Sequence, residues 1–131
     1  MSATTTANNN SGVLLLARIL LALLFIPAGF SKLMALGATT GYFTSIGLPV
    51  PFATAIFVGL LELLGGLAVL IGLQTRIAAV LLGVFTIAAA FVGHFMPFDQ
   101  TGFLKNLAVA GGFFLLALQG PGAISVDAKR D

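Results

Sequence analysis

Residues 52–73 read FATAIFVGLLELLGGLAVLIGL. After the dipeptide Gln74-Thr75 the chain resumes at residues 76–95 with RIAAVLLGVFTIAAAFVGHF. Each run is about as long as the roughly 20 helical residues that cross a hydrocarbon core of about 30 Å. Neither run alternates with period two, as the strands of a membrane barrel would. The pattern is two transmembrane helices joined by a tight turn. Two further runs flank it, at 13–33 and 103–119, the last slightly short and able to tilt less or to thin the bilayer locally. The predicted fold is therefore an all-α integral membrane four-helix bundle with short loops.

Composition agrees. Of 131 residues 59% are hydrophobic and 8% charged, with a mean hydropathy of +1.12. A soluble domain carries about 25% charged residues, and ten charged side chains cannot clothe one of this length. The net charge of +2 rests on scattered residues with no basic patch, which argues against nucleic acid as a partner. There is no cysteine, so disulfides, thiol redox chemistry and cysteine-held iron–sulfur or zinc sites are excluded. The single histidine, His94, excludes bis-histidine haem ligation within one chain, and no metal site is expected.

Residues 1–12, MSATTTANNNSG, are polar and uncharged and read as a flexible tail; residues 123–131 read as a second, cytoplasmic tail. With no basic residue ahead of the first apolar run and Arg18 inside it, that run reads as a retained span rather than a cleaved signal. Pro49 and Pro51, Pro97 and Gly102, and Gly120-Pro121-Gly122 punctuate the remaining boundaries. Residues 34–51 are too polar to span and too apolar to lie free in water. A short interfacial helix is expected there in preference to an irregular loop. An even number of spans puts both termini on one side with Arg18, Arg76, Lys129 and Arg130, against Lys32 and Lys105 on the other. This asymmetry predicts cytoplasmic termini.

Ionisable groups inside a span cost at least about 2.5–3.5 kcal/mol at its centre and usually face the protein interior. Glu62 lies at the middle of its span, too deep to reach a headgroup. Gly59 and Gly66 share its face and admit a close neighbour helix. The expected partner is Arg18, making an intramembrane polar site of Arg18 and Glu62. A second group, Lys32, His94, Asp99 and Lys105, is expected to gather at the outer mouth. The cationic members, Arg18 included, have a plainer reading as side chains that snorkel to headgroups, and His94 one as an interfacial hydrogen-bonding residue. Gly29, Gly59, Gly65, Gly66, Gly111 and Gly112 are read as packing positions. Ala68/Gly72 and Ala108/Gly112 have spacings that favour helix association within or between chains, so a homo-oligomer is open. The first and third helices both carry Arg-Ile, at 18–19 and 76–77. The second and fourth both carry Gly-Gly, at 65–66 and 111–112. This is a faint sign of two related hairpins.

The segments ARILLALLFIPAGFSKL (17–33), YFTSIGLPVP (42–51), GLLELLGGLAVLIGLQTR (59–76), the region of His94, and FLKNLAVAGGFFLLALQGPG (103–122) together resemble the DoxX family of small bacterial four-helix membrane proteins. The resemblance covers residues 13 to about 127. It implies Arg18, Gly29, Lys32, Glu62, Gly65, Gly66, Arg76, His94 and Lys105 as characteristic positions, and a place in the bacterial inner membrane. It also implies a membrane subunit or accessory of a quinone-linked or oxidative-stress redox system, in which the bundle binds a quinone or docks a redox enzyme; beyond such a quinone no cofactor is expected. Nothing in the chain suggests a complete enzyme on its own. The competing readings are a module that binds or transports a small molecule or lipid, and a structural membrane scaffold.

Overall fold

The computed structural model describes residues 3–130 and consists of helices joined by short turns. They are α1 (Ala3–Met34), α2 (Leu36–Ser45), α3 (Pro51–Ile71), α4 (Thr75–His94), α5 (Gln100–Gln119) and α6 (Val126–Arg130). Four of them, α1 from Asn10 onward, α3, α4 and α5, are long and apolar enough to cross a membrane. Within their most apolar windows only 22–28% of residues are buried, so most of the apolar surface faces outward, as it must against lipid.

The boundaries follow local chemistry. Asp99 accepts a hydrogen bond from the Gly102 amide, so α5 begins at Gln100, three residues ahead of its expected start. Gly72, at φ 73°, ends α3; a Cβ there would collide with that of Ser125. The connection between the first two spans contains the ten-residue helix α2, as expected from its mixed composition. One expectation needs correcting. The segment read as a flexible tail belongs to α1 from Ala3 onward, while Met1 and Ser2 lie outside the described residues. Ser11 is buried and its hydroxyl accepts a hydrogen bond from the Ala123 amide. The C-terminal segment packs against the bundle, Ile124 accepting from Arg18 and Asp127 from the Gln74 amide, and Asp131 lies outside the described residues.

The spans pair as two hairpins. α1 lies along α3, and α4 along α5, while contact between the hairpins is sparser. Gly29 makes the first pairing close: a Cβ there would sit on the Leu63 amide nitrogen and 2.7 Å from the Gly59 carbonyl. α3 and α4 are tightly joined at Gln74, and near that turn Leu82 packs against Gly65. The hydrophobic core lies in the half of the bundle nearer the termini. Phe25, Val69, Ala79, Leu82, Phe113 and Leu116 fill it, with Phe25 and Phe113 edge to face at 5.2 Å. The other half, called distal here, is packed less completely.

Candidate functional site

α1 and α3 run antiparallel, and both carry a glycine followed three residues later by a charge: Gly29 and Lys32, Gly59 and Glu62. The glycines bring the helices together. Helical side chains tilt toward their own N-terminus, so Lys32 leans toward the half nearer the termini and Glu62 toward the distal half, and they meet. Lys32 Nζ lies 2.7 Å from Glu62 Oε1. Glu62 is eleven residues from the start of α3 and nine from its end, about 16 and 14 Å at 1.5 Å per residue. The pair therefore lies near mid-span. The Glu62 side chain is 9% exposed and that of Lys32 29%.

A cavity of about 370 Å³ adjoins the pair in the distal half. Phe25 and Ala28 of α1, Val58 of α3 and Phe85 and Ala89 of α4 give it apolar walls. Thr86, His94 and Asn106 bring polar groups from the second hairpin. The Asn106 amide reaches the Thr86 carbonyl at 3.4 Å, and the Thr86 hydroxyl donates to the Leu82 carbonyl at 2.6 Å. α2 and the turn after it roof the space through Tyr42, Phe43, Ile46 and Leu48. Its size falls within the range of about 300–1,000 Å³ typical of small-molecule sites. Glu62 Oε1 is buried and receives no aligned hydrogen bond from any described donor, since Lys32 meets it as an ion pair without hydrogen-bond alignment. The carboxylate thus keeps acceptor capacity beside the cavity.

This arrangement redraws the two groups expected from sequence. Arg18 is not the partner of Glu62. It is 1% exposed, and its guanidinium donates to four carbonyls: Nε to Val69 (3.0 Å), Nη2 to Leu70 (2.8 Å), and Nη1 to Pro121 (2.8 Å) and Ile124 (2.7 Å). The last carbonyls of α3 lack helical donors, and a planar five-donor fork beside them satisfies these and fixes the chain after α5. The outer-mouth group separates too. Lys32 goes to Glu62. His94 Nδ1 lies 3.1 Å from Asp99 Oδ2, and Lys105 is exposed. The Gly102 amide, then His94 and Lys105, hold the Asp99 carboxyl below its usual range, against a smaller upward push from burial.

Of the packing glycines, Gly29, Gly59, Gly65 and Gly66 sit in close contacts. Gly111 has nothing within 4 Å of a Cβ position, and Gly112 only Leu21 Cδ2 at 3.6 Å. α5 meets α1 too sparsely to need them. The repeated Arg-Ile has a structural counterpart. As Arg18 closes the end of α3, Arg76 of α4 closes the end of α5, donating to the Ala117 and Leu118 carbonyls at 2.8 Å. Sequence reasoning passed over Asp127. Its carboxylate receives the Gln74 and Thr75 amides at 2.7 and 2.8 Å at the start of α4, and its own amide donates to the Gly72 carbonyl. Burial is the largest influence on that carboxyl and pushes its pKa up. The two amides and Arg130 outweigh it, leaving the group below its usual range.

The DoxX family profile matches residues 13–95, and the chain belongs to that family. It is 40% identical over 126 residues to inner membrane protein YphA of Escherichia coli K12, covering 89% of each chain. It is 42% identical over 116 residues to inner membrane protein YqjF of the same organism, covering 86% of this chain and 88% of the relative. A Bacillus subtilis (strain 168) protein named "Putative oxidoreductase CatD" is 40% identical over 111 residues, covering 77% of this chain and 81% of that one. No solved structure matches the chain.

Proposed function

We propose that this protein is the membrane subunit of a quinone-linked redox system. In this reading the distal cavity holds a quinone head beside Lys32 and Glu62, and the termini lie in the cytoplasm. The observation that carries it is a mid-span carboxylate with unused acceptor capacity, paired to a lysine at the edge of an apolar, aromatic-walled cavity. Buried ionisable groups in spans mark functional sites by default.

The chemistry of the two ends fits the head group. The Lys32 ammonium donates to a ring carbonyl oxygen. The Glu62 carboxylate accepts the hydroxyl of the reduced form and can hold its proton. Phe25 and Phe85 offer faces and edges to the ring. A bound quinone would supply two-electron redox chemistry, and this chain supplies binding and a proton site. Electrons come from a partner redox enzyme, since the chain has no cysteine for an iron–sulfur centre. The oxidoreductase name of the B. subtilis relative points the same way.

The test is binding of a short-tailed ubiquinone to the purified protein in lipid nanodiscs, with extraction and identification of any co-purified quinone. Glu62→Gln is expected to weaken binding at least tenfold. Ala89→Phe, which fills the cavity and leaves the ion pair intact, is expected to do the same with helix content and thermal midpoint preserved. Absence of quinone binding by the unsubstituted protein, or unchanged binding in a folded Ala89→Phe, would refute the reading.

A further inference from the structure

The walls of the cavity are not equally closed. α3 and α4 pack near their shared turn, where Leu82 meets Gly65, and contact between them is sparse overall. α2 fills part of the distal space by packing along α3, and it hardly touches α4. On the facing side α4 offers Ala88, Val92 and Gly93, which line the cavity and are at the same time exposed on the outside of the bundle. From α2 the facing residue is Tyr42, which also lines the cavity and is half exposed. The Tyr42 hydroxyl lies 3.8 Å from the position of a Gly93 Cβ, and no other side chain comes within 4 Å of it. A residue that both lines a cavity and lies on the outer surface marks a mouth. Four such residues cluster between α2 and α4; Leu24 of α1, also exposed, lines the cavity from another side.

From this juxtaposition we propose that the gap between α2 and α4 is a lateral portal. Through it the cavity takes the head of an amphiphile directly from the bilayer, while its aliphatic tail remains in lipid. Tyr42 closes the gap against Gly93 at contact distance, so a head group passes when the tyrosine side chain swings aside and Gly93 leaves room for it. The occupant is fixed by polarity along the path. The buried end holds the Lys32–Glu62 pair, Thr86, Asn106 and His94 add single polar groups to otherwise apolar walls, and the lips Ala88, Val92, Gly93 and Tyr42 are apolar or aromatic. Val92 is 43% exposed. A freely water-soluble ligand would have to shed its hydration at such a mouth, whereas a lipid-dissolved one has already done so. An isoprenoid or acyl tail leaving between Tyr42 and Gly93 stays in the medium it came from. A polar hydroxyl at the lip of an apolar passage offers a passing head group one hydrogen bond. The portal rests on the reading of the cavity as a ligand site and holds for any tailed head group of that size.

The chain has no cysteine, so one introduced thiol reports alone. Thr86→Cys places it on the cavity wall, at a residue that is 3% exposed. In phosphatidylcholine liposomes it is reacted with N-phenylmaleimide and with a sulfonated, membrane-impermeant maleimide. Each rate is normalised to that of Gln100→Cys, exposed at the start of α5 in the distal half that also holds the cavity. The apolar reagent is expected to be favoured at least tenfold at position 86. Adding Gly93→Leu is expected to slow it a further tenfold or more, and Gly93→Ala, whose Cβ has ordinary clearance, less than threefold. If Gly93→Leu does not fold, Tyr42→Trp narrows the same gap and is held to the same tenfold slowing. Equal normalised rates for the two reagents would show a mouth open to water and overturn the proposal. So would a folded narrowed variant that reacts as fast as its parent, or a thiol that neither reagent reaches. These measurements involve no quinone. A failed portal therefore leaves the quinone reading to the binding experiment, and a protein that binds no quinone can still show the portal.

Discussion

Replacing Arg18 by methionine removes a buried cation together with the donors for four carbonyls in two separate parts of the chain. Hydrogen bonds to charged groups contribute about 1.5–3 kcal/mol each, so the gross loss is about 6–12 kcal/mol. Against it stands the cost of burying a guanidinium, several kcal/mol even after relaxation. Some of the freed carbonyls near the membrane surface will also find water. The expected net loss is about 3–5 kcal/mol, the range for removing one member of a buried charged contact. Arg18→Lys keeps a charge and three donors without the fork, and should recover about half. Equilibrium unfolding in mixed detergent–SDS micelles measures both losses. Amide hydrogen exchange at Ala123 and Ile124 locates them, because the segment after α5 is tied to α1 by Arg18 and by the bond from Ala123 to Ser11. A loss below about 1 kcal/mol for Arg18→Met, with unchanged exchange in residues 122–125, would refute the assignment of Arg18 as the closure of α3 and its neighbour segment.

Other perturbations separate the remaining contacts. Gly29→Ala drives a methyl into α3 backbone that cannot yield as a side-chain tip would, and should cost about 3 kcal/mol or more. Gly111→Ala meets nothing and should be neutral or stabilise by up to about 1 kcal/mol through helix propensity; unfolding of the two variants side by side checks the contrast. A carboxyl held below its usual range in the folded state stabilises fully above its unfolded value, and that contribution disappears as pH falls through the folded one. Acid titration of the thermal midpoint should therefore show a loss beginning below the ordinary carboxylate value of 3.8, and Asp127→Asn should diminish it. For Lys32 and Glu62, truncating either alone should destabilise more than truncating both. Lys32→Met, Glu62→Met and the double variant, compared by unfolding, give the coupling, and additive losses would show that the pair does not interact.

Much of this architecture is written in residue type and spacing. The length of the apolar runs sets four spans because a bilayer core has a fixed thickness. Their lack of period-two alternation makes them helices. The mixed segment at 34–51 had to form a separate short element, because neither water nor hydrocarbon suits it, and α2 is that element. That Glu62 is buried and partnered follows from its depth alone.

Which cation it meets does not follow. Depth along a helix and the period of its faces are one-dimensional quantities. Partner choice depends on register and rotation between helices, which long-range packing decides. The approach of Gly29 to Gly59 and Leu63 sets that register, and it brings Lys32 to Glu62 while leaving Arg18 beside the end of α3. The Gly-x-x-charge spacing shared by residues 29–32 and 59–62 held the clue, legible once the two glycines are known to touch. Asp127 could not be placed from sequence, since its partners are backbone amides, which every residue but proline carries. The cavity is a property of no single segment. It arises where the two hairpins leave a gap and α2 only partly covers it. Sequence determined that this is a four-span membrane bundle with a charge at its centre; tertiary packing alone decided that the charge is Lys32-paired and faces a cavity, because only packing fixes how the helices meet.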